Sequence, residues 1–297
     1  MRELTCLMVI LCWSVVNLSG QQKLKKHFRL PPALTEVSGL YYAGTDSLWW
    51  HNDGGDQPAL YLTDGAGNLK RTVRLPALHN QDWEDITADD QGRIYIGEFG
   101  NNANRRKDLR IYRYDPGDGA LDSISFVYPD QHEFPPPPAR ANYDMEAFFW
   151  FNDSLHLFSK NRLQQGNYQT RHYTLPASPG TYTAQLRDSL FLRKRVITGA
   201  AISPDRKKVA LIGYNYKRCL GFIPTSAASI FLFTDFTGSD FLRGTMKRKS
   251  LSCIVATQYE AVDFIDNSKV YVASEKTAFI PPRVKRKRVG KKQKVLE

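Results

Sequence analysis

Trp83-Glu84-Asp85-Ile86-Thr87-Ala88-Asp89-Asp90-Gln91-Gly92-Arg93-Ile94-Tyr95-Ile96-Gly97-Glu98 is one copy of a phrase that the chain writes five times. A small or acidic polar residue leads into a short apolar run, a turn follows, and a second apolar run ends in polar residues. The other copies are Val37-Ser38-Gly39-Leu40 to His51, Met145-Glu146-Ala147-Phe148 to Lys160, Ile197-Thr198-Gly199-Ala200 to Tyr214, and Tyr259-Glu260-Ala261-Val262 to Glu275. The offset from Ser38 to His51, and between their counterparts, is 13, 14, 14, 16 and 15 residues, and successive copies begin 46, 62, 52 and 62 residues apart. Self-similarity at a period near 50 residues marks one supersecondary unit used repeatedly.

Each phrase reads as a β-hairpin. Leu48-Trp49-Trp50, Ile94-Tyr95-Ile96, Leu155 to Phe158, Val209 to Ile212 and Val270-Tyr271-Val272 are short β-rich runs, and turn residues such as Gly44-Thr45-Asp46, Asn152-Asp153 and Ser203-Pro204-Asp205 precede them. Further runs, among them Ala59 to Thr63, Leu109 to Tyr114 and Ile230 to Phe233, bring the unit to four strands. The fold class expected is therefore all-β, a β-propeller of four-stranded antiparallel blades. Five blades can be counted, with room for a sixth in 215–257. Phe28-Arg29-Leu30-Pro31 mirrors Val73-Arg74-Leu75-Pro76, so the N-terminal residues 23–30 are expected to close the ring as an outer strand of the last blade. The basic run from Arg283 to Val289 then becomes an outer or next-to-outer strand, where lysines also discourage edge-to-edge pairing. Residues 129–142, with Pro135 to Pro138, and 217–246 read as insertions on this scaffold, either plain connectors or recognition loops.

The ends of the chain separate from this body. Residues 1–20 carry an apolar stretch from Leu4 to Val16 followed by Ser19-Gly20, the pattern of a secretory signal peptide, with a retained N-terminal anchor as the alternative. No later segment is apolar enough to span a membrane. Residues 21–282 form the propeller domain and 283–297 a basic C-terminal strand or tail. The expected location is secreted or periplasmic. The net charge of +11 is terminal: residues 283–297 hold eight basic residues against Glu297, Lys23, Lys25, Lys26 and Arg29 supply the rest, and residues 30–282 are neutral. Such a tail is either a solvated edge or a patch for a polyanion. Nucleic acid is not expected, because the tail has no aromatic residue on which bases could stack. Cys219 and Cys253 remain after the signal, and sequence leaves their pairing open.

Topology supplies the site. The start of an innermost strand and the end of its hairpin partner lie at one end of a blade. Ser38, Glu84, Glu146, Thr198 and Glu260 are thus expected as an inner ring around the axis, and His51, Glu98, Lys160, Tyr214 and Glu275 as a second ring beside it. Carboxylates converging on one axis repel unless compensated, and a hard cation such as calcium accepts such oxygens. Glu84, Glu146 and Glu260 are the candidate calcium ligands. The alternatives are a water-filled channel with solvated carboxylates, and pairing with Lys160, Arg162, Lys276 or His51. His51, Asn52, Asp53, Asn101, Asn102, Lys160, Asn161, Tyr214 and Lys276 are the candidate ligand-binding residues. If the protein is an enzyme, His51, Glu98 or Glu275 would serve as general base in metal-assisted hydrolysis. The sequence has no Gly-x-Ser-x-Gly elbow, no His-Glu-x-x-His motif and no phosphate-binding glycine loop.

Ser38-Gly39-Leu40 with His51-Asn52-Asp53, Asp82-Trp83-Glu84-Asp85-Ile86 with Gly97-Glu98-Phe99-Gly100-Asn101-Asn102, and Tyr259-Glu260-Ala261-Val262 with Ser274-Glu275-Lys276 give the chain a resemblance to exported bacterial propellers of uncharacterised function. In architecture it is similar to the gluconolactonase and regucalcin group, phytase-like esterase propellers and NHL-repeat proteins. The first two imply a calcium ion at the channel mouth, by position at Glu84, Glu146 and Glu260, although Ser38 and Thr198 interrupt the ring. The leading expectation is an exported propeller that binds a small molecule, glycan or protein at a polar, calcium-containing axial face. The alternative is a calcium-dependent hydrolase of phosphoesters or lactones.

Overall fold

The computed structural model describes residues 24–44, 46–160, 168–219, 223–251, 257–276 and 280–290, without the side chains of 216–225. Residues 1–20, expected as a signal peptide, lie outside this set with Asn161, Arg162, the Cys219 and Cys253 side chains and residues 291–297.

The strands assemble into five sheets in a ring. β1 (His27–Arg29) precedes blade 1, which comprises β2 (Val37–Tyr42), β3 (Leu48–Asn52), β4 (Ala59–Thr63) and β5 (Leu69–Arg74). Blade 2 follows with β6 (Trp83–Ala88), β7 (Ile94–Glu98), β8 (Arg110–Tyr114) and β9 (Leu121–Val127). Blade 3 uses β10 (Asp144–Phe151), β11 (Ser154–Lys160) and β12 (Gln169–Pro176), then sends out β13 (Gly180–Thr183) before completing itself with β14 (Gln185–Phe191). Blade 4 is β15 (Val196–Ile202), β16 (Val209–Cys219), β17 (Ile223–Thr234) and β18 (Thr245–Ser250). Blade 5 is β19 (Tyr259–Asp266), β20 (Lys269–Ser274), β21 (Arg283–Arg288) and, on its outer edge, β1. The ring is therefore closed by the N-terminal strand, with the basic run next to it. The interval 215–257 holds no sixth blade among the described residues, because β16 and β17 extend into an unusually long hairpin there.

Burial grades outward. β3 and β10 are buried along their whole length, whereas β18 is exposed throughout. Five apolar clusters fill the seams between neighbouring blades: Trp83 and Tyr112 between blades 1 and 2, Phe148 and Tyr173 between 2 and 3, Phe149 and Phe241 between 3 and 4, Ile230 and Val272 between 4 and 5, and Trp50 and Tyr271 between 5 and 1. Aromatic side chains recur in these seams because each removes a large area from water between two twisted sheets. The seam between blades 3 and 4 also encloses a buried pair of histidines: the ring nitrogens His156 Nδ1 and His172 Nε2 are 2.9 Å apart, and His172 Nδ1 lies 3.0 Å from Asp188 Oδ1.

Two departures from plain antiparallel blades matter. β13 leaves blade 3 and pairs in parallel with β9, matching Gly180 to Ile124, so blade 2 gains a fifth strand from its neighbour. And the pairing register shifts in every innermost strand at the same place, between Val37 and Gly39, Trp83 and Ile86, Met145 and Ala147, Ile197 and Gly199, and Tyr259 and Ala261. The residue inside each shift is the ring residue of the repeated phrase: Ser38, Glu84, Glu146, Thr198 or Glu260. A bulge re-aims its extra side chain out of the sheet pattern, and the small residue that follows in four copies leaves room for it. A methyl on Gly199, for instance, would lie 2.8 Å from Glu260 O.

Candidate axial carboxylate site

The bulged residues divide by chemistry. Ser38 Oγ donates 2.6 Å to Glu84 O of blade 2, and Thr198 Oγ1 donates 2.7 Å to Tyr259 O of blade 5. These hydroxyls stitch adjacent blades and are spent on backbone. The three glutamates are all buried, and their surroundings differ. Glu146 Oε1 lies 2.6 Å from Lys160 Nζ. Glu260 and Glu275 share the amide of Gln258, whose Nε2 donates to Glu275 Oε2 at 2.9 Å and to Glu260 Oε1 at 3.4 Å. Glu84 has neither arrangement: among the described residues nothing donates a hydrogen bond to its carboxylate and no cation pairs with it.

Instead, carboxylate oxygens of Glu84, Asp53 and Asp82 lie within 4.8 Å of one another. Two glycines clear the space around them. A methyl on Gly100 would fall 2.2 Å from Glu84 Oε1 and 2.5 Å from Asp82 Oδ2, and one on Gly54 would fall 2.9 Å from Asp82 Oδ1. The fields agree with the geometry. Burial, then the charge of Glu146, drives the Glu84 carboxyl well above the usual carboxylate range. Burial and then Asp53 push Asp82 up to about 6. Asp53 is raised by burial despite the amide of Gly54, which donates to its Oδ1 at 2.6 Å. Lys160, ion-paired with Glu146, is held well above its ordinary value by that partner and the charges beyond it, against the opposing effect of burial.

The second ring of the sequence reading is corrected in register. Strand pairing sets Asn52 opposite Val37 and Glu98 opposite Trp83, but Lys160 opposite Asp144 and Tyr214 opposite Val196. The residue of blade 1 that matches Lys160, Tyr214 and Glu275 is therefore Asp53, two positions after His51. His51 packs wholly buried in the seam between blades 1 and 2, edge-on to Trp83 at 5.6 Å, and burial pushes it down to about 4. Glu98 faces away from the axis, accepting the amide of Gln81 at 2.9 Å and pairing with Arg106 at 2.7 Å. Neither can reach a ligand in the mouth from there. Tyr214 does face it, its hydroxyl pKa raised by burial and by Glu260.

The remaining predicted residues are structural neighbours of the mouth. Asn52 Nδ2 donates to Ala33 O at 2.7 Å and to Asp56. Asn101 Oδ1 accepts the amides of Arg105 and Arg106, and its own amide donates to Asp144 Oδ1 at 2.9 Å. Asn102 and Lys276 are exposed. Sequence reasoning missed Asp82, Asp144 and Gln258 as members of the site. Their signal was present: each stands two residues before a ring residue, as does Glu36, so four of the five copies carry an acid or amide there.

Below the mouth the axis is plugged by polar staples. Asp85, inside the wide bulge of blade 2, accepts the amides of Ile86 at 2.9 Å, Phe148 of blade 3 at 3.0 Å and Ala200 of blade 4 at 3.4 Å. Asp263 of blade 5 accepts the amide of Tyr42 in blade 1 at 2.7 Å. The opposite end of the axis opens into a cavity of about 170 Å³ lined by Tyr41, Trp150, Arg206 and Asp263.

No family model matches the chain, and no curated protein matches it in sequence. Solved structures do resemble it. An aldose sugar dehydrogenase from Streptomyces coelicolor, solved with PQQ bound, aligns over 88% of this chain and 97% of its own at 12% identity and a TM-score of 0.51. The α-L-arabinofuranosidase Arb93A from Fusarium graminearum, solved with an iminosugar inhibitor, aligns over 90% and 98% at 9% identity and a TM-score of 0.50. The β-propeller domain of Cps50 (Swd1) from Myceliophteria thermophila covers 89% and 100% at 10% identity with a TM-score of 0.44. At these identities the likeness is one of fold. The chain is a β-propeller, and these comparisons carry no evidence for the gluconolactonase, phytase-like or NHL groups in particular. No helix among the described residues is long and apolar enough to cross a membrane.

Proposed function

We propose that this is an exported propeller whose axial mouth binds a hard divalent cation of the calcium class, and through it a small anionic or hydroxyl-rich ligand. The observation that carries the reading is the Glu84 carboxylate, buried to 3% exposure with no hydrogen-bond donor or ion pair among the described residues, beside two further carboxylates. An isolated buried charge is costly and normally acquires a counter-charge or a proton. Oxygen ligands converging from Asp53, Asp82 and Glu84 suit calcium, which takes six to eight such donors at about 2.4 Å and fills the rest with water or ligand. This set replaces the trio of Glu84, Glu146 and Glu260, because Lys160 already neutralises Glu146 and Gln258 is shared by Glu260 and Glu275. Ligand oxygens on such a cation would face Lys160, Tyr214 and Glu275.

The hydrolase reading draws support from that same neighbourhood. A lysine and a tyrosine beside a Lewis-acidic cation would stabilise negative charge developing on a phosphoryl or acyl oxygen. Glu275, not His51 or Glu98, would then be the general base.

The test is calorimetric titration of chelator-treated protein with calcium, repeated on Asp53→Asn and Glu84→Gln. Binding in the parent and its loss in both variants is the expected result. A parent protein that takes up neither calcium, magnesium nor manganese would overturn the cation. Screening the calcium-loaded protein against generic phosphoesters and lactones then separates the two readings, with turnover abolished in Glu275→Gln favouring the enzyme.

A further inference from the structure

A second charged region lies on the rim of the molecule, away from the mouth. On β21, Lys285 and Lys287 pair with Val272 and Val270, which belong to the seam between blades 4 and 5. Their side chains therefore share the sheet face turned toward blade 4. His27 and Arg29 of β1 lie on the same face, opposite Lys285 and Arg283. From the other side, Lys247 and Lys249 of β18 pair with Leu232 and Ile230, residues of that same seam. The two sets meet: Lys249 Nζ donates to Arg288 O, and Lys287 is pulled below the usual lysine range by burial, then by Lys285 and Lys249. The outer half of the seam is a groove with cations on both walls.

No acid among the described residues pairs with it. β1, β18 and β21 contain no acid, and none of these cations forms an ion pair with a described residue. The rims of blades 2 and 3 are different: Arg113 of blade 2 pairs with Asp122, and Arg187 of blade 3 with Asp240. Like charges directly across a ladder, as in Arg29 opposite Arg283, weaken the sheet that carries them. Edge protection accounts for cations on β1 and β18. It does not account for Arg283 and Lys285, which β20 flanks on one side and β1 on the other. A recess of about 290 Å³ opens at the outer edge of blade 5 beside these cations, lined by His27, Arg29, Arg283 and Lys285 with Phe28 and Val284.

We propose that the groove between the outer halves of blades 4 and 5 binds a linear anionic polysaccharide. Alternate residues on one face of a strand are about 7 Å apart, so Arg283, Lys285 and Lys287 form a row of charges that an extended polymer can follow. The cations of β18 and β21 face one another across a seam between two blades, whereas a bilayer presents a plane. β18 and β21 carry no aromatic side chain on which a nucleic-acid base could stack. This inference is independent of the axial cation.

The test measures binding of a heparin oligosaccharide to the full chain at low and moderate salt. It is repeated on a groove variant (Lys247→Gln, Lys249→Gln, Arg283→Gln, Lys287→Gln) and on a variant with the same charge change elsewhere (Lys70→Gln, Arg71→Gln, Arg74→Gln, Arg105→Gln). The groove variant is expected to bind about tenfold more weakly or worse, while the control stays within about threefold of the parent. If the groove variant melts early, Lys247→Gln with Lys249→Gln carries the test alone, because both side chains are exposed on β18. Equal losses in groove and control variants would overturn the site, since net charge would then suffice. Tighter binding to phosphatidylglycerol vesicles or duplex DNA than to heparin would overturn the occupant.

Discussion

Gly100 decides whether the mouth can hold its acids as they stand. Its backbone lies in an ordinary conformation, so alanine there strains only the space occupied by Glu84 and Asp82. Gly100→Ala is expected to leave the fold intact and abolish stabilisation by calcium, which at a hundredfold excess over Kd is worth about 2.7 kcal/mol in the parent. Thermal melts with and without chelator read this directly. The neighbouring acids give a pH signature. Burial and Glu275 push Glu260 up to about 8, and burial and Asp53 push Glu275 up to about 8, from an ordinary 4.5. Between those values the folded chain keeps protons that the unfolded chain has released, so both groups favour the fold below pH 4.5 and lose that contribution as pH rises through 8. His51, lowered to about 4, acts oppositely but only below its ordinary 6.5. Calcium-free protein should therefore lose stability from pH 6.5 to 8, and Glu275→Gln should flatten that slope. A melting temperature that climbs across this window would contradict the assignment. At this scale the sequence was half legible. Glutamates at the bulge could be found by repetition alone. Asp53 is legible as a ligand-binding neighbour but not as the blade 1 member of the second ring, because the hairpins differ in length and only the pairing of Val37 with Asn52 shows that His51 is two residues early.

The bulge is the element that makes the site. It returns at one position in all five innermost strands, and it turns one side chain per blade toward the neighbouring blade or the axis. Where that residue is Ser38, its hydroxyl fills the need of a buried carbonyl on the next blade. Ser38→Ala leaves Glu84 O without that donor and should cost about 1–3 kcal/mol in urea denaturation, while Ser38→Thr should recover most of it. A loss below a few tenths would mean the seam relaxes around the gap. The hairpins themselves could be read because their apolar alternation and turns are local. β13 could not: its parallel partner β9 lies in the previous blade, and Gly180-Thr181-Tyr182-Thr183 offers no local sign of which edge it will join. The interval 215–257 left a sixth blade open beside the five counted, since the long hairpin of β16 and β17 and a short blade use similar numbers of residues.

For the whole molecule, the ring depends on its two ends meeting. β1 is only three residues long and has β21 as its one partner, with Arg286 Nη1 donating to Leu24 O at 3.0 Å. A chain ending at residue 282 should lose β21 and release β1 with it. The expected outcome is a fall in cooperativity and rapid amide exchange in β19 and β20, seen by hydrogen-exchange mass spectrometry; unchanged protection would show that four blades hold the fifth.

This closure also sets a clock. The contact between Arg286 and Leu24 spans 262 positions, and drawing together ends that far apart in a flexible chain costs about 5 kcal/mol of entropy. Apart from β13, which blade 3 lends to blade 2, blades 1 to 4 are each built from strands consecutive in the chain and can form as it emerges. The fifth has to wait until β21 has been made, because β1 pairs with it. Until then the apolar faces of blades 1 and 4 that pack against blade 5 lack their neighbour. Synthesis order alone would thus delay the finished ring, whatever partner or compartment awaits it.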